Sequence, residues 1–336
     1  QKQNKMKIAI FAAGTGGHIY PALSIAEKFG KEDVIFIASN RETERKIYKN
    51  SGFKVRHLNI SGFRGKNLLE KLLWPFSVTS CVLISIFVLL KYKPQNVLLM
   101  GNYISVIGLI SSIFLFKDIY IHEQNSILGS ANKLSLIFAK KVFTTFPLNE
   151  KKENNFGQPI RSAFNTLNYT THPKKEHILV LGGSQGALFF NNQLSEILDN
   201  LNLNEKILFQ TGEHNQKTSS GKIEYIKFIE NMPEVMAKSK FIICRAGAST
   251  VAEVQSIGLP AIFVPLPNSI DDHQMKNAKL ACNDGGGIVL NEKNFNLEEF
   301  SKKISEFNLQ NFQELSKKMA KSIHLKSAEK IVHEIK

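Results

Sequence analysis

Short, uninterrupted apolar runs recur along the chain and limit what it can become. They are KIAIFA, DVIFIA, QNVLLM, DIYI and KVFTT in the first half, then HILVL, KILFQ, FIIC and PAIFV. An alternating run marks a strand with one wet face, whereas a continuous run marks a strand covered on both faces, as in a parallel sheet layered by helices. Helix-like segments separate many of these runs. The expected fold class is therefore α/β, with two doubly wound, Rossmann-like domains. A length of 336 residues suits two domains of ordinary size. The polar stretch FGQPIRSAFNTLNYTTHPKKEH, Phe156 to His177, carries two prolines and no sustained apolar period, and is expected to link them.

The turns that follow the runs point to ligand binding. AAGTGGH (Ala12 to His18), GNY (Gly101 to Tyr103) and HEQN (His122 to Asn125) close runs of the first half. GGSQGA (Gly182 to Ala187), RAGAST (Arg245 to Thr250) and PLPNSIDDHQ (Pro265 to Gln274) close runs of the second. In a parallel sheet such strand ends share one edge, where these folds bind ligands. Two such edges facing each other would make a cleft.

Charge is unevenly spread. Residues 1–160 hold 22 Lys and Arg against 10 Asp and Glu, while residues 161–336 hold 21 against 19. A basic first half is expected to face something anionic; no nucleic-acid motif is present, so an acidic membrane surface is the reading and nucleic acid is set aside. The uncharged segment LLWPFSVTSCVLISIFVLL, Leu72 to Leu90, is long enough to be weighed as a membrane span. Spanning would put the strands before and after it on opposite sides of a bilayer and tear one sheet in two, so a span is rejected. Two readings remain: a buried core helix, or an apolar face dipping into a membrane interface between Lys66, Lys71, Lys91 and Lys93. The charge asymmetry favours the second. Cys81, Cys244 and Cys282 lie far apart with no C-x-x-C pair, which argues against a zinc ribbon or disulfide framework and fits a reducing cytosol. An apolar strand starts almost at once after Met6, without the apolar region and cleavage site of a signal peptide.

GTGGHI, Gly14 to Ile19, falls short of a dinucleotide fingerprint. Ile19 stands where a third glycine belongs, and the second strand ends in Ser39 and Asn40 rather than an acid, so no NAD site is expected. These glycines either form a merely tight turn or let the backbone approach a ligand and offer N–H groups to an oxyanion. His18, placed just ahead of a helix that Pro21 is expected to start, is either a satisfied polar residue or a base. The pattern GGSQG fits both a G-x-S-x-G nucleophile turn and an anion-binding loop. A serine hydrolase built on Ser184 would need Asp271 or Asp272 with His324 or His333, and would leave GTGGH and HEQN unexplained. A phosphate loop needs only the Ser184 hydroxyl beside helix-end N–H groups, and is preferred.

Thr250-Val251-Ala252-Glu253 matches a capping box, or else Glu253 accepts hydrogen bonds from two ribose hydroxyls. Arg161 and Arg245 either neutralise phosphate or pair with an acid. Asp271 to Gln274 either start a helix or bind sugar hydroxyls. The sequence contains no Asp-x-Asp, so no metal is expected on a diphosphate, which helix N-termini and side-chain donors would hold instead.

Taken together, GTGGHIYPALSIA, GFRGK, HEQNSILGSANK, FGQPIR, GGSQGA, RAGASTVAE and DDHQMKNA, in this order between residue 8 and about residue 282, resemble one family. It is the MurG family within glycosyltransferase family 28, the undecaprenyl-diphospho-muramoylpentapeptide β-N-acetylglucosaminyltransferases of peptidoglycan synthesis. The resemblance implies a GT-B fold: residues 6–160 for acceptor and membrane, 161–322 for UDP-GlcNAc, and a tail of about 323–336 folding back onto the first domain. It implies inverting transfer of GlcNAc from UDP-GlcNAc to the C4 hydroxyl of MurNAc in lipid I, giving lipid II. The implied enzyme is peripheral on the cytoplasmic face of the inner membrane. Its partners are UDP-GlcNAc, lipid I and an anionic membrane surface, with no cofactor or metal. Another GT-B UDP-sugar:lipid transferase is the alternative.

The resemblance also implies roles for single residues. His18 or Glu123 is the catalytic base. Donor contacts come from Thr15, Gly16, Gly17, Asn125, Arg161, Ser184, Gln185, Gly186, Arg245, Ala246, Gly247, Glu253 and Gln274. Acceptor contacts come from Gly14, His18, Tyr103, His122 and Asn132, and Asn191 maps onto a further cleft position. Three residues depart from the family pattern: Asn102 replaces a glycine usual before the tyrosine, Gln158 an asparagine and Ala13 a glycine.

Overall fold

The computed structural model describes residues 6–14, 16–60, 62, 68–183, 186–212, 219 and 221–336. The chain forms two compact units, Gln1–Arg161 with Lys326–Lys336, and Ser162–Leu325. The first is built on strands β1 (Ile8–Phe11), β2 (Val34–Ser39), β3 (Lys54–Leu58), β4 (Asn96–Leu99), β5 (Asp118–Glu123), β6 (Ala139–Thr144) and β7 (Glu153–Asn155). They form one sheet in the order β3-β2-β1-β4-β5-β6-β7, every pair parallel. Helices α1 (Gly16–Phe29), α2 (Glu42–Ser51), α3 (Leu68–Tyr92), α4 (Asn102–Phe114) and α5 (Ser130–Ser135) connect them.

Strand β1 shows why the interior runs are apolar without alternation. Ile8 and Ile10 enter one core with Phe36, Leu98 and Phe143, while Ala9 and Phe11 enter another with Ile37, Val97 and Leu99. Successive side chains point to opposite faces, and here both faces are covered.

Helix α3 is partly buried, and its apolar residues divide between the core and the surface. Cys81, Val82, Ser85, Val88 and Leu89 are buried, whereas Leu72, Leu73, Phe76, Leu83, Phe87 and Leu90 are exposed. By length and composition alone Leu72–Tyr92 could cross a membrane. Yet β3 and β4, on either side of it, belong to one sheet. Helix α1 corrects a boundary: it begins at Gly16, so His18 lies in its first turn and Pro21 inside it rather than at its start.

The second unit carries β8 (His177–Leu181), β9 (Lys206–Gln210), β10 (Ile223–Ile226), β11 (Ser239–Cys244), β12 (Ala261–Phe263) and β13 (Gly287–Val289). Their order is β10-β9-β8-β11-β12-β13, again all parallel. A π-helical turn, Phe190–Leu194, runs into α6 (Ser195–Asn200), followed by α7 (Met232–Lys238), α8 (Ala248–Ile257), α9 (His273–Cys282), α10 (Leu297–Asn308) and α11 (Phe312–Met319). Ile178, Val180, Phe209, Phe241 and Ile243 meet Phe300, Ile304 and Phe307 in its core. The stretch expected to be a linker is anchored here: Phe164 is buried, and Tyr169 donates from its amide to the Ile257 carbonyl (2.8 Å) and from its hydroxyl to the Lys240 carbonyl (2.8 Å).

The last helix, α12 (Ser327–Ile335), belongs to the first unit. Ala328, Ile331, Val332 and Ile335 join the core of Ile8 and Ile10. Lys28 pairs with Glu329 at 2.8 Å, Lys141 with Glu334, and the Ser327 hydroxyl donates to the Gly157 carbonyl (2.9 Å). The ion pairs are largely exposed and add little; burial of the apolar face, at about 1.5–3 kcal/mol per large side chain, holds the helix in place.

Candidate active-site loops

In the first unit the strand order reverses between β1 and β4. Loops leaving two such strands turn to opposite faces of the sheet and leave a crevice where doubly wound folds take their ligands. The loop after β1 is tightly held. The Tyr48 hydroxyl donates to the Ala12 carbonyl (2.8 Å), Asn102 Nδ2 donates to the Ala13 carbonyl, and the Gly14 amide donates to Glu44 Oε1 (2.8 Å). Glu44 is fully buried and also accepts from the Ser39 hydroxyl (2.7 Å) and amide (3.1 Å). Of the two readings of this glycine loop, the Gly14 N–H follows the tight turn, since it is spent on Glu44.

After β4, Gly101 turns with φ 93° and lies against two candidate residues. A Cβ at this position would sit 3.5 Å from both His18 Nε2 and Asn132 Nδ2. Tyr103 follows in the first turn of α4, under the Arg41 guanidinium at 5.8 Å, and burial raises its phenol above the usual range.

After β5, Glu123 organises its own loop. Its carboxylate accepts from the amides of Asn125 (3.0 Å) and Gly129 (2.9 Å) and from Asn132 Nδ2 (2.8 Å). Burial raises its pKa against the pull of these bonds. Asn132 Nδ2 also reaches the His122 carbonyl at 3.2 Å. The His122 imidazole is fully buried, with neither nitrogen hydrogen-bonded among the described residues. Burial first, and the neighbouring His18 second, push its pKa down to about 3. Hence Gly14, His18, His122, Glu123, Asn125 and Asn132 gather at the ends of neighbouring strands, with Tyr103 in the first turn of α4.

The second unit reverses its strand order between β8 and β11, and its glycines divide into two kinds. A Cβ on Gly186, at φ +79°, would fall 2.0 Å from the Thr211 carbonyl oxygen, so only glycine fits there. Asn191 in the π-helical turn donates to that same carbonyl (3.0 Å). By contrast a Cβ on Gly183 or Gly247 would meet nothing within 4 Å, which leaves the backbone open to a ligand at the loops after β8 and β11. Gln210 braces the first of these, donating to the Gly183 carbonyl (3.3 Å) and accepting from the Ile229 amide (3.0 Å).

Helix α8 begins at Ala248 with Gly247 as its N-cap, so Thr250 lies within the first turn and Glu253 within the helix. The capping-box reading of these two residues therefore falls. Gln274 Oε1 accepts from the Leu266 amide (3.0 Å) and closes the loop before α9, which starts at His273.

Arg245 takes the structural alternative. Its guanidinium is nearly buried, donates to the carbonyls of Val264 (3.0 Å) and Pro265 (3.2 Å), pairs with Glu292 and lies 4.7 Å over the Phe190 ring. These bonds make Arg245 a strut between β11, β12 and the turn after β13. Arg161 stays with the first unit, its guanidinium 5.8 Å from the Tyr20 ring, as do Gly16, Gly17 and Asn125. Ala246 accepts a hydrogen bond from Asn277 Nδ2 (3.2 Å). Thr15, Ser184 and Gln185, and most of GFRGK, lie outside the described residues. Of the histidines named for a hydrolase, His324 is buried and bonded to Gln255 Oε1 (2.9 Å), and His333 belongs to the first unit.

Sequence reasoning missed Glu44, Tyr48, Gln210 and Glu292. Glu44 and Tyr48 are spaced i, i+4 on α2, and that spacing was the one signal that both face inward. Gln210 and Glu292 gave none.

Two parallel α/β units, each with a glycine loop where its strand order reverses, make up the GT-B fold found among glycosyltransferases. Residues 8–144 match the glycosyltransferase family 28 N-terminal domain and residues 177–335 the glycosyltransferase family 28 C-terminal domain. The chain belongs to glycosyltransferase family 28. It is 33% identical over 309 residues, 87% of either chain, to the UDP-N-acetylglucosamine--N-acetylmuramyl-(pentapeptide) pyrophosphoryl-undecaprenol N-acetylglucosamine transferase of Haemophilus ducreyi. It is 33% identical over 334 residues to the transferase of that name from Vesicomyosocius okutanii, covering 97% of this chain and 96% of the relative. The crystal structure of Acinetobacter baumannii MurG superposes with a TM-score of 0.79 at 27% identity, covering 98% of this chain and 99% of that one.

Proposed function

We infer that the protein transfers GlcNAc from UDP-GlcNAc to the C4 hydroxyl of MurNAc in undecaprenyl-pyrophosphoryl-MurNAc-pentapeptide, producing lipid II for peptidoglycan. The observation that carries this reading is likeness to transferases of that name across both units rather than one.

The transfer is a single displacement with inversion. The acceptor oxygen attacks C1 of GlcNAc, the bond from C1 to the diphosphate breaks, and a base takes the hydroxyl proton. His18 is that base. It lies beside Gly101 in the first turn of α1, whereas the Glu123 carboxylate is already committed to Asn125, Gly129 and Asn132. The buried, uncharged His122 and the Asn132 amide line the acceptor side with Gly14 and Tyr103. The donor is held by the second unit: its diphosphate lies against the open backbone of Gly183 and Gly247 with the Ser184 hydroxyl, its ribose on Glu253, its sugar near Gln274.

The acceptor carries a polyprenyl chain, and the first unit offers a surface for it. Leu83, Phe87 and Leu90 on α3, Phe114 at the end of α4 with Phe116 just beyond it, and Ile137 and Phe138 after α5 are exposed, and α4 packs against both α3 and α5. The basic excess of this half favours an anionic bilayer, so the enzyme docks peripherally on the cytoplasmic face.

Labelled UDP-GlcNAc incubated with a lipid I analogue tests the reading, with product and anomeric configuration followed. A β-linked GlcNAc–MurNAc product is expected, at a rate unchanged by EDTA. UDP binding without transfer to this acceptor would overturn it.

A further inference from the structure

The three residues after β1 are each gripped by a different side chain: Ala12 by Tyr48, Ala13 by Asn102 and Gly14 by Glu44. Two of the grips come from α2. The third comes from the first residue of α4, on the other strand at the point where the sheet order reverses. Asn102 holds a left-handed backbone, φ 62°, which among side-chain-bearing residues asparagine tolerates best. A glycine would take that turn at lower steric cost, but it could not make the two bonds that Asn102 makes. Its Oδ1 accepts from the Ile104 amide (3.0 Å), satisfying one N–H at the start of α4, and its Nδ2 donates to the Ala13 carbonyl. Gly14 completes the fit: a Cβ there would lie 3.3 Å from Asn102 Nδ2, at a backbone φ of +104°.

This strap sits between the groups that must be in register. On one side Ala13 leads through Gly14 into the first turn of α1 and His18. On the other, Gly101 immediately precedes Asn102 and lies against His18 Nε2 and Asn132 Nδ2. We propose that Asn102 is a positioning residue for the transfer reaction: it ties the loop after β1 to the start of α4 and so fixes the His18 imidazole beside Gly101 and Asn132. The proposal rests on the reading of His18 as the base.

The test is a double-mutant cycle on the full chain with UDP-GlcNAc and a lipid I analogue, comparing Asn102→Gly, Asn102→Asp, His18→Ala and His18→Ala/Asn102→Gly. Glycine keeps the turn and removes the strap. Aspartate keeps the turn and the bond to Ile104 but cannot donate to Ala13. A displacement of about 1 Å at a reacting group can cost about 10²-fold, so both single variants are expected to lower kcat about 10-fold or more. Their KM for UDP-GlcNAc, set by the second unit, should stay within about 2-fold. In the His18→Ala background the strap has no imidazole to position, and Asn102→Gly should change kcat less than about 2-fold. Full-rate Asn102→Gly alongside a crippled His18→Ala overturns the proposal alone, as does a loss that multiplies unchanged in the double variant. His18→Ala at wild-type rate overturns the base assignment and the proposal together.

Discussion

A single added methyl group separates the two kinds of glycine in the second unit. At Gly186 the Cβ would overlap the Thr211 carbonyl at 2.0 Å on a left-handed backbone, so Gly186→Ala must shift the loop. Strain of this kind costs about 1–3 kcal/mol; UDP titration should show affinity down about tenfold or more. At Gly247 the same substitution meets open space, and any loss of UDP affinity there reports contact with the nucleotide itself. Buried histidines give a second prediction. His324 in the second unit is pushed by burial down to about 4, and His122 in the first to about 3. Both take up a proton on unfolding once the pH is below about 6.5. Their contribution to stability is therefore full above that value and is lost as pH falls towards 4 and 3, by at most about 1.4 kcal/mol per pH unit for each. Denaturant unfolding at pH 7, 6 and 5 should show this slope, reduced in His324→Gln.

At the scale of elements, legibility follows burial. The nine continuous apolar runs are the nine interior strands, β1, β2, β4, β5 and β6 in one sheet and β8, β9, β11 and β12 in the other. The strands that the runs did not reveal, β3, β7, β10 and β13, are the four sheet edges; β3, β7 and β10 carry polar residues on their partly exposed positions, and β13 is only three residues long. Glycine loops were legible because their chemistry is local. The grips on them were not, because Glu44 and Glu292 look like any surface acid until the chain is folded. Helix α3 was legible only as a pair of alternatives, since its burial is split along its length. That split is testable: Leu83→Ser with Phe87→Ser leaves the buried stripe intact. Flotation with anionic vesicles should fall several-fold, given about 1.5–3 kcal/mol per apolar side chain lost from the interface. Turnover of a water-soluble acceptor analogue should hold. Helix α12 sets the converse case, where Ile331→Ala should destabilise the first unit by about 2–5 kcal/mol in urea unfolding.

Across the molecule, the chain is divided into two separately cored units. The loops read as holding the nucleotide sit on the unit formed by Ser162–Leu325, so UDP at about 100 times its dissociation constant should raise that unit's stability by about 2.7 kcal/mol. Hydrogen exchange should place the protection at residues 182–187 and 245–253 and leave the loop after β1 unchanged.

The return of α12 to the sheet of β1 also orders events at the ribosome. Residues 326–336 are synthesised after the whole of the second unit, and until they emerge the hydrophobic layer under Ile8 and Ile10 stays unsealed. The second unit can mature while its older neighbour waits. Nascent chains halted before residue 326 should therefore present a protease-resistant younger half and a digestible elder one.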